Sequence, residues 1–491
     1  MSVQQTVWLH LCAVKQLIAC FLIDVIFFFV FLQWKKWFEE MKKFVLQIVV
    51  VMSVFAVSCR EAAPPEPFGP VPTEAQLAWQ RMEINMFCHF GPNTFTGAEW
   101  GDGTEPDSLF NPSALDCRQW VDVAEQAGMK GIILTAKHHD GFCLWPSAHS
   151  GHTVAAEIDV LRQFVDACRG RVKAGVYISP WDRNHPTYGT PEYNMVFSNT
   201  LKEVHSNYGP FFEQWFDGAC GEGPNGKRQE YDWPLFEGTV MDANPQCVIF
   251  SDVGPGCRWV GNEEGRAGET NWSRLHVKDG ARRVDNGGCG DADGDRWIPA
   301  EVDVSIRPGW FWHKEEHPKT VDELMEIFYN SVGRNGLLLL NVPPDTRGRI
   351  PAEDSAVLVA FRQERDRVFA HDLAMRAKAK GPHLKGHCYG AQNVLDTAYH
   401  TYWAATDTSA VLTLCFDSPT EFDMVVLQEY IPLGQRVCRF RIECDGQCFE
   451  GTTVGYKRIV RLPERICTDK VTFRFDGMAP PVINRIALYK R

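Results

Sequence analysis

Phe211-Phe212-Glu213-Gln214-Trp215-Phe216-Asp217-Gly218 is an apolar, aromatic, strand-like run that delivers an acidic residue straight into a glycine. A carboxylate is costly to hold at the end of a buried strand, so its presence there points to use. The bland reading of Asp217 is a turn residue, because Asp-Gly is a common turn dipeptide. The repeat around the run decides between the two. From about residue 75 to 350 short apolar segments alternate with amphipathic ones, the pattern of parallel strands covered by helices. Residues 84–90, 131–136, 174–179, 214–217, 248–252 and 336–342 read as strands, and 118–127, 158–168, 193–207 and 321–332 show helical spacing. These are six repeats, and the glycine-rich stretch 254–297 is where a further one can hide. The expected fold class is α/β, a (β/α)8-like TIM barrel, closed by a helix over 353–370.

Polar and aromatic residues gather just after these strands. His89 ends the first, Lys137-His138-His139-Asp140 follow the second, Pro180-Trp181-Asp182 the third and Asp217 the fourth. Barrels of this type carry their active sites at the C-terminal ends of the strands, which favours Asp217 as a working residue over a turn residue. A second acid follows in Arg258-Trp259-Val260-Gly261-Asn262-Glu263, although Glu263-Glu264 lies in a polar stretch where carboxylates are ordinarily solvated. Two acids that meet in space, about 5 to 5.5 Å apart in a retaining enzyme, are the pattern of glycoside hydrolysis.

No metal site is read from the chain. Neighbouring residues on a strand face opposite ways, so His138-His139 is no chelating pair. Asp291-Ala292-Asp293-Gly294-Asp295 imitates a calcium loop, yet Arg296 takes the glycine position and Val302 the terminal glutamate position, so it is read as solvated. No cofactor is expected. The net charge of -12 argues against a nucleic-acid partner, and the 16 tryptophans suit the C–H faces of sugars as well as they suit cores.

The first 40 residues read as an upstream extension. Met41-Lys42-Lys43, the apolar run after it and Ser58-Cys59 resemble a signal peptide over 41–59. Ala56-Val57-Ser58-Cys59 also resembles a lipobox with Cys59 acylated, but Ala56 stands where leucine is usual, so a plain signal peptide stays open. A proline-rich linker over 60–72 follows. The expected location is therefore exported, periplasmic or cell-surface, with contact to a membrane only through such an anchor. The barrel is expected over 73–375. From 376 to 491 short β-like runs with frequent turns read as a β-sandwich, either a carbohydrate-binding module or a wedge that stabilises the barrel, the second being favoured.

Taken together these residues resemble glycoside hydrolase family 29, the α-L-fucosidases, and in particular the subgroup selective for α-1,3/4-linked fucose on branched oligosaccharides. The resemblance runs over roughly 70–490. Its motifs are Phe87-Cys88-His89-Phe90-Gly91, Glu99-Trp100, Lys137-His138-His139-Asp140-Gly141-Phe142, Trp215-Phe216-Asp217-Gly218, Gly261-Asn262-Glu263 and Ser305-Ile306-Arg307-Pro308-Gly309-Trp310-Phe311. It implies a retaining mechanism with Asp217 as nucleophile and Glu263 as acid/base, Glu264 and Glu301 being the fallbacks, and a galactose-binding-like sandwich. It also implies that His89, Glu99, Trp100, His138, His139, Tyr177, Trp181, Arg258 and Trp310 bind the sugar. The histidines are expected to hold the pKa of Asp217 low. A fucosylated oligosaccharide or glycoprotein glycan is the implied partner. Another barrel glycosidase, or a surface glycan-binding protein without catalysis, stays open as an alternative.

Overall fold

The computed structural model describes residues 3–58, 62–277 and 286–491. Residues 1–63 and 64–491 are two separate units. The first is one helix, Val3–Ser58, which passes through Met41 without a break. Cys59 lies outside the described residues. Among the described residues no helix is long and apolar enough to cross a membrane.

The second unit opens with a barrel of eight parallel strands: β1 (Ile84–Cys88), β2 (Gly131–Lys137), β3 (Lys173–Ile178), β4 (Glu213–Trp215), β5 (Val248–Ser251), β6 (Cys257–Trp259), β7 (Ala300–Ser305) and β8 (Leu337–Asn341). They close in the order β1-β8-β7-β6-β5-β4-β3-β2. Six of the strands are those of the sequence pattern; β6 and β7 are not. β5 and β6 are joined by residues 252–256 alone, so no helix marks the repeat there. β7 carries Glu301 and Asp303, which spoil its apolar signature, yet all six of its residues are buried. A further helix, Trp233–Ala243, follows β4 behind Pro234, and its internal Gly238 weakens the helical pattern.

Strand alternation sorts the side chains into two cores. Outward residues such as Met86, Cys88, Phe216 and Val304 pack against helices including Cys117–Gln126, Val160–Cys168 and Pro191–Asn207. Inward residues Phe87, Ile133, Tyr177, Trp215, Val248, Phe250, Cys257, Leu337 and Leu339 fill the barrel with Trp79 and Met82. The Trp215 and Phe250 rings stack at 4.0 Å and 8°, which makes a solid aromatic floor beneath the C-terminal rim. Burying rings of this size accounts for much of the barrel's stability, about 1.5–3 kcal/mol for each large apolar side chain.

Residues 378–491 form the antiparallel β-sandwich, built on two long strands, Ser409–Glu429 and Arg458–Gly477, each with register shifts along its length. Its own core includes Leu412, Leu414, Phe422, Phe440, Phe473 and Phe475. The sandwich grips the barrel beside β6 and β7. Asn271 N–H donates to Thr453 Oγ1 at 2.9 Å and Ser273 N–H to Gln435 Oε1 at 2.7 Å, while Arg458 pairs with Glu269 at 2.6 Å.

Candidate active site

The inward parity of β4, residues 213 and 215, carries on to Asp217 just past the strand, and so sets this carboxylate above the aromatic floor. Asp217 Oδ1 accepts the Ala219 N–H at 2.7 Å and Oδ2 accepts the Tyr177 hydroxyl at 3.1 Å. Glycine is required next because a Cβ on Gly218 would stand 2.1 Å from Asp252 Oδ1. A cavity of about 210 Å3 opens here, lined by Asp217, Glu263, His89, His138, His139, Glu99, Trp100 and Trp310 together with Phe87, Trp215, Phe250, Asp252, Trp259 and Asp303.

Glu263 reaches the same cavity from the loop after β6, where its Oε2 accepts the Trp310 indole N–H at 3.2 Å. Glu99 holds that tryptophan's backbone: Oε2 accepts the Trp310 N–H at 2.9 Å, and Oε1 meets His313 Nε2 at 2.5 Å. Trp100 stands at the rim with 59% exposure, edge-on to His139 and Trp181.

The turn after β2 is braced from behind. Lys137 Nζ pairs with Asp182 Oδ2 at 3.0 Å and donates to Ser179 O at 2.9 Å, all within the core. Gly141 packs on that acid at a φ of +86°, and a Cβ there would meet Asp182 Oδ1 at 2.4 Å. His138 and His139 are thereby fixed toward the cavity.

Burial sets the protonation states. It drives the pKa of His89 and of His139 down to about 3, helped at His139 by the charges of Lys137 and Arg183, and it drives His138 well below its usual value. All three rings are neutral and so do not hold the Asp217 pKa low. Burial instead pushes the Asp217 carboxyl up, against the pull of the Ala219 N–H and the Tyr177 hydroxyl. The side chain of Asp217 keeps 25% exposure toward the cavity.

The α-L-fucosidase family model matches residues 35–363 of the chain. The chain belongs to the α-L-fucosidase family. It is 42% identical over 428 residues to the putative alpha-L-fucosidase 1 of Oryza sativa subsp. japonica, covering 83% of this chain and 82% of the rice protein. A putative alpha-L-fucosidase from Bacteroides thetaiotaomicron superposes with a TM-score of 0.81 at 38% identity, over 87% of this chain and 99% of that one. A Ruminococcus gnavus GH29 fucosidase in complex with fucose superposes with a TM-score of 0.82 at 32% identity, over 87% of this chain and 96% of its own. Family membership makes the chain a glycoside hydrolase acting on α-L-fucosides.

Three residues expected to touch the sugar stand off the cavity wall of this α-L-fucosidase. Tyr177 lies beneath Asp217, stacked on Trp215 at 5.2 Å, and acts through its hydroxyl. Trp181 backs His139, with ring centres 4.7 Å apart, and its indole N–H is taken by Glu222 O at 3.1 Å. Arg258 is the clear departure. On β6 residues 257 and 259 point inward, so Arg258 points out of the barrel. There it donates to Gly287 O at 2.8 Å, Asn271 Oδ1 at 2.9 Å, Trp272 O at 3.0 Å and Ile298 O.

The fallback acids separate by position. Glu264 is exposed and paired with Arg266. Glu301 is sealed in the barrel, where it accepts the Trp215 indole N–H at 2.8 Å. It forms a close trio with Glu213 and Cys257, whose donor atoms lie within 4.8 Å of one another. The Trp79 indole N–H caps Glu213 at 2.7 Å, and burial pushes the pKa of both glutamates up, which favours their protonated forms.

Sequence reasoning missed Asp303. It lies inward on β7, faces the cavity and accepts the Trp259 indole N–H at 2.8 Å. Burial, then the Glu263 charge, pushes its pKa well up. Reading Glu301-Val302-Asp303 as a strand would have found it, since the two acids then share the inner face.

Proposed function

We propose that the enzyme is a retaining exo-α-L-fucosidase that removes terminal α-1,3/1,4-linked L-fucose from branched oligosaccharides or glycoconjugates. The observation that carries this reading is that Asp217 and Glu263 open on one small cavity walled by three neutral histidines, which suits a single uncharged sugar. Ionised Asp217 attacks the anomeric carbon while Glu263 gives its proton to the departing glycosidic oxygen. In the second half Glu263 takes a proton from water, which releases fucose and restores Asp217. The Gly261-Asn262-Glu263 motif supports the linkage preference.

The test is fucose release from a matched panel: Lewis-type trisaccharides with α-1,3- or α-1,4-fucose, an α-1,2-fucosylated lactose and an aryl α-L-fucoside. Cleavage of the branched trisaccharides with the α-1,2 compound left intact is expected. Equal cleavage of all three discards the linkage preference, and faster release of galactose from an aryl galactoside discards fucose as the preferred sugar. We also infer export through the segment that begins at Met41, with Cys59 as the anchor. Mass spectrometry of the mature N-terminus is expected to show a chain beginning at an acylated Cys59, and an unmodified chain beginning elsewhere overturns this.

A further inference from the structure

Each pocket histidine turns one ring nitrogen to a partner that is not itself part of the cavity wall, and the chemistry of that partner dictates where the ring keeps its proton. His89 Nδ1 lies 2.9 Å from Asn341 Oδ1. The Asn341 amide has only one consistent orientation, because its Nδ2 donates to Trp310 O at 2.7 Å and to Ser305 Oγ at 2.9 Å. Its Oδ1 also accepts the His89 backbone N–H at 3.3 Å. An amide oxygen only accepts, so Nδ1 of His89 carries the hydrogen and Nε2 is a bare lone pair.

His139 repeats the logic with a hydroxyl. Its Nδ1 lies 2.8 Å from Ser179 Oγ, and the single hydroxyl hydrogen of Ser179 is spent on Trp181 O at 2.9 Å. Ser179 Oγ therefore accepts from His139 Nδ1–H, and Nε2 is again a lone pair. That nitrogen stands 3.6 Å from Asp217 Oδ2, the separation of two acceptors side by side and too long for a hydrogen bond.

His138 is opposite. Its Nδ1 faces Asn93 Nδ2 at 3.5 Å, and that amide nitrogen is fixed as a donor by Glu99 O at 3.2 Å. A donor facing His138 Nδ1 at this longer separation favours the form with its hydrogen on Nε2.

We propose that Asn341, Ser179 and Asn93 are positioning residues that lock the tautomers of His89, His139 and His138, so that the cavity offers the sugar two acceptor nitrogens and one donor N–H. The sugar hydroxyls that meet His89 and His139 must then donate, and the one that meets His138 must accept. The consequence for sugar binding rests on the fucosidase reading, whereas the tautomers belong to the free enzyme and are read without any sugar.

The test is long-range 1H–15N correlation of enzyme labelled with 15N in its histidines, in the absence of ligand, with each ring assigned from a single His→Gln variant. The expected result is Nδ1–H on His89 and His139 and Nε2–H on His138. Ser179→Ala is expected to release His139 toward the Nε2–H form and to weaken inhibition by L-fucose about tenfold. Ser179→Thr, which keeps the hydroxyl, restores both. Any of the three rings in the opposite tautomer in the unaltered enzyme overturns the proposal for that ring. An unchanged His139 tautomer in Ser179→Ala overturns the role of Ser179. Absence of L-fucose inhibition in the unaltered enzyme would strike the sugar assignment alone, because the spectra still report the tautomers.

Discussion

Asp217 and Glu263 share a cavity but stand on different supports. Asp217 leaves the end of β4, which is hydrogen-bonded to β3 and β5 on its two sides and rests on stacked aromatic rings. Glu263 stands on a loop with Gly261 and Asn262, held from outside the barrel. Arg258 ties the base of that loop to Asn271 and Trp272, and the sandwich clamps the same stretch through Gln435 and Thr453. One acid is thus held by the barrel itself and the other by a scaffold assembled from distant parts of the chain. The first should tolerate only local change, and the second should be sensitive to residues that never approach the sugar.

The sharpest way to break this comparison is at the two acids. Asp217→Asn is expected to lower turnover of every substrate, on the order of ten-thousand-fold, with the fold intact by circular dichroism. Near-normal activity would remove Asp217 from the reaction. Glu263→Gln is expected to lower turnover of a Lewis-type trisaccharide about a thousandfold, but that of an aryl fucoside with a good leaving group far less. Equal losses on both substrates would count against proton donation.

Arg258 tests the scaffold. Arg258→Met leaves buried carbonyls without a donor and is expected to cost about 3 kcal/mol of stability, measured by denaturant unfolding. The displaced loop should cost about a hundredfold on the trisaccharide and much less on the aryl fucoside, because Asp217 keeps its strand. A uniform loss would mean that the two supports are not independent.

The smallest effect is expected at Tyr177. In the proposed mechanism Asp217 attacks in its ionised form, and its pKa is raised by burial, so the acid limb of kcat/KM should lie above the ordinary aspartate range. Tyr177→Phe removes a donor that favours the ionised form. The pKa then rises further and the limb moves to higher pH by about one unit, with a loss of only a few-fold at its plateau. A limb that stays in place would show that the hydroxyl does not act on Asp217.

The same contrast explains what could be read from the chain. β2 and β4 announce themselves as apolar and aromatic runs that end in polar residues, so His138, His139 and Asp217 were found with their strands. β6 is three residues long and follows β5 without a helix, so nothing in the periodicity marks it. Without that strand the parity of Arg258 is not legible, and nothing in the sequence opposes the sugar contact that the resemblance implies for this buried clamp. β7 was hidden because the inside of this barrel is acidic at Glu301 and Asp303, where apolar alternation was the signal sought. The partners of the histidines were out of reach for another reason. Asn93, Ser179 and Asn341 are ordinary polar residues until strand pairing brings β1 beside β8 and β2, and β2 beside β3.

Asn341 joins events that are otherwise apart. One face of its amide receives His89, and the other holds the backbone of Trp310, whose indole reaches Glu263. A single carboxamide therefore ties a ring on one wall of the cavity to the tryptophan that holds Glu263 at another. An alteration at this position would be felt twice, in how the sugar is seated and in how readily its neighbour departs.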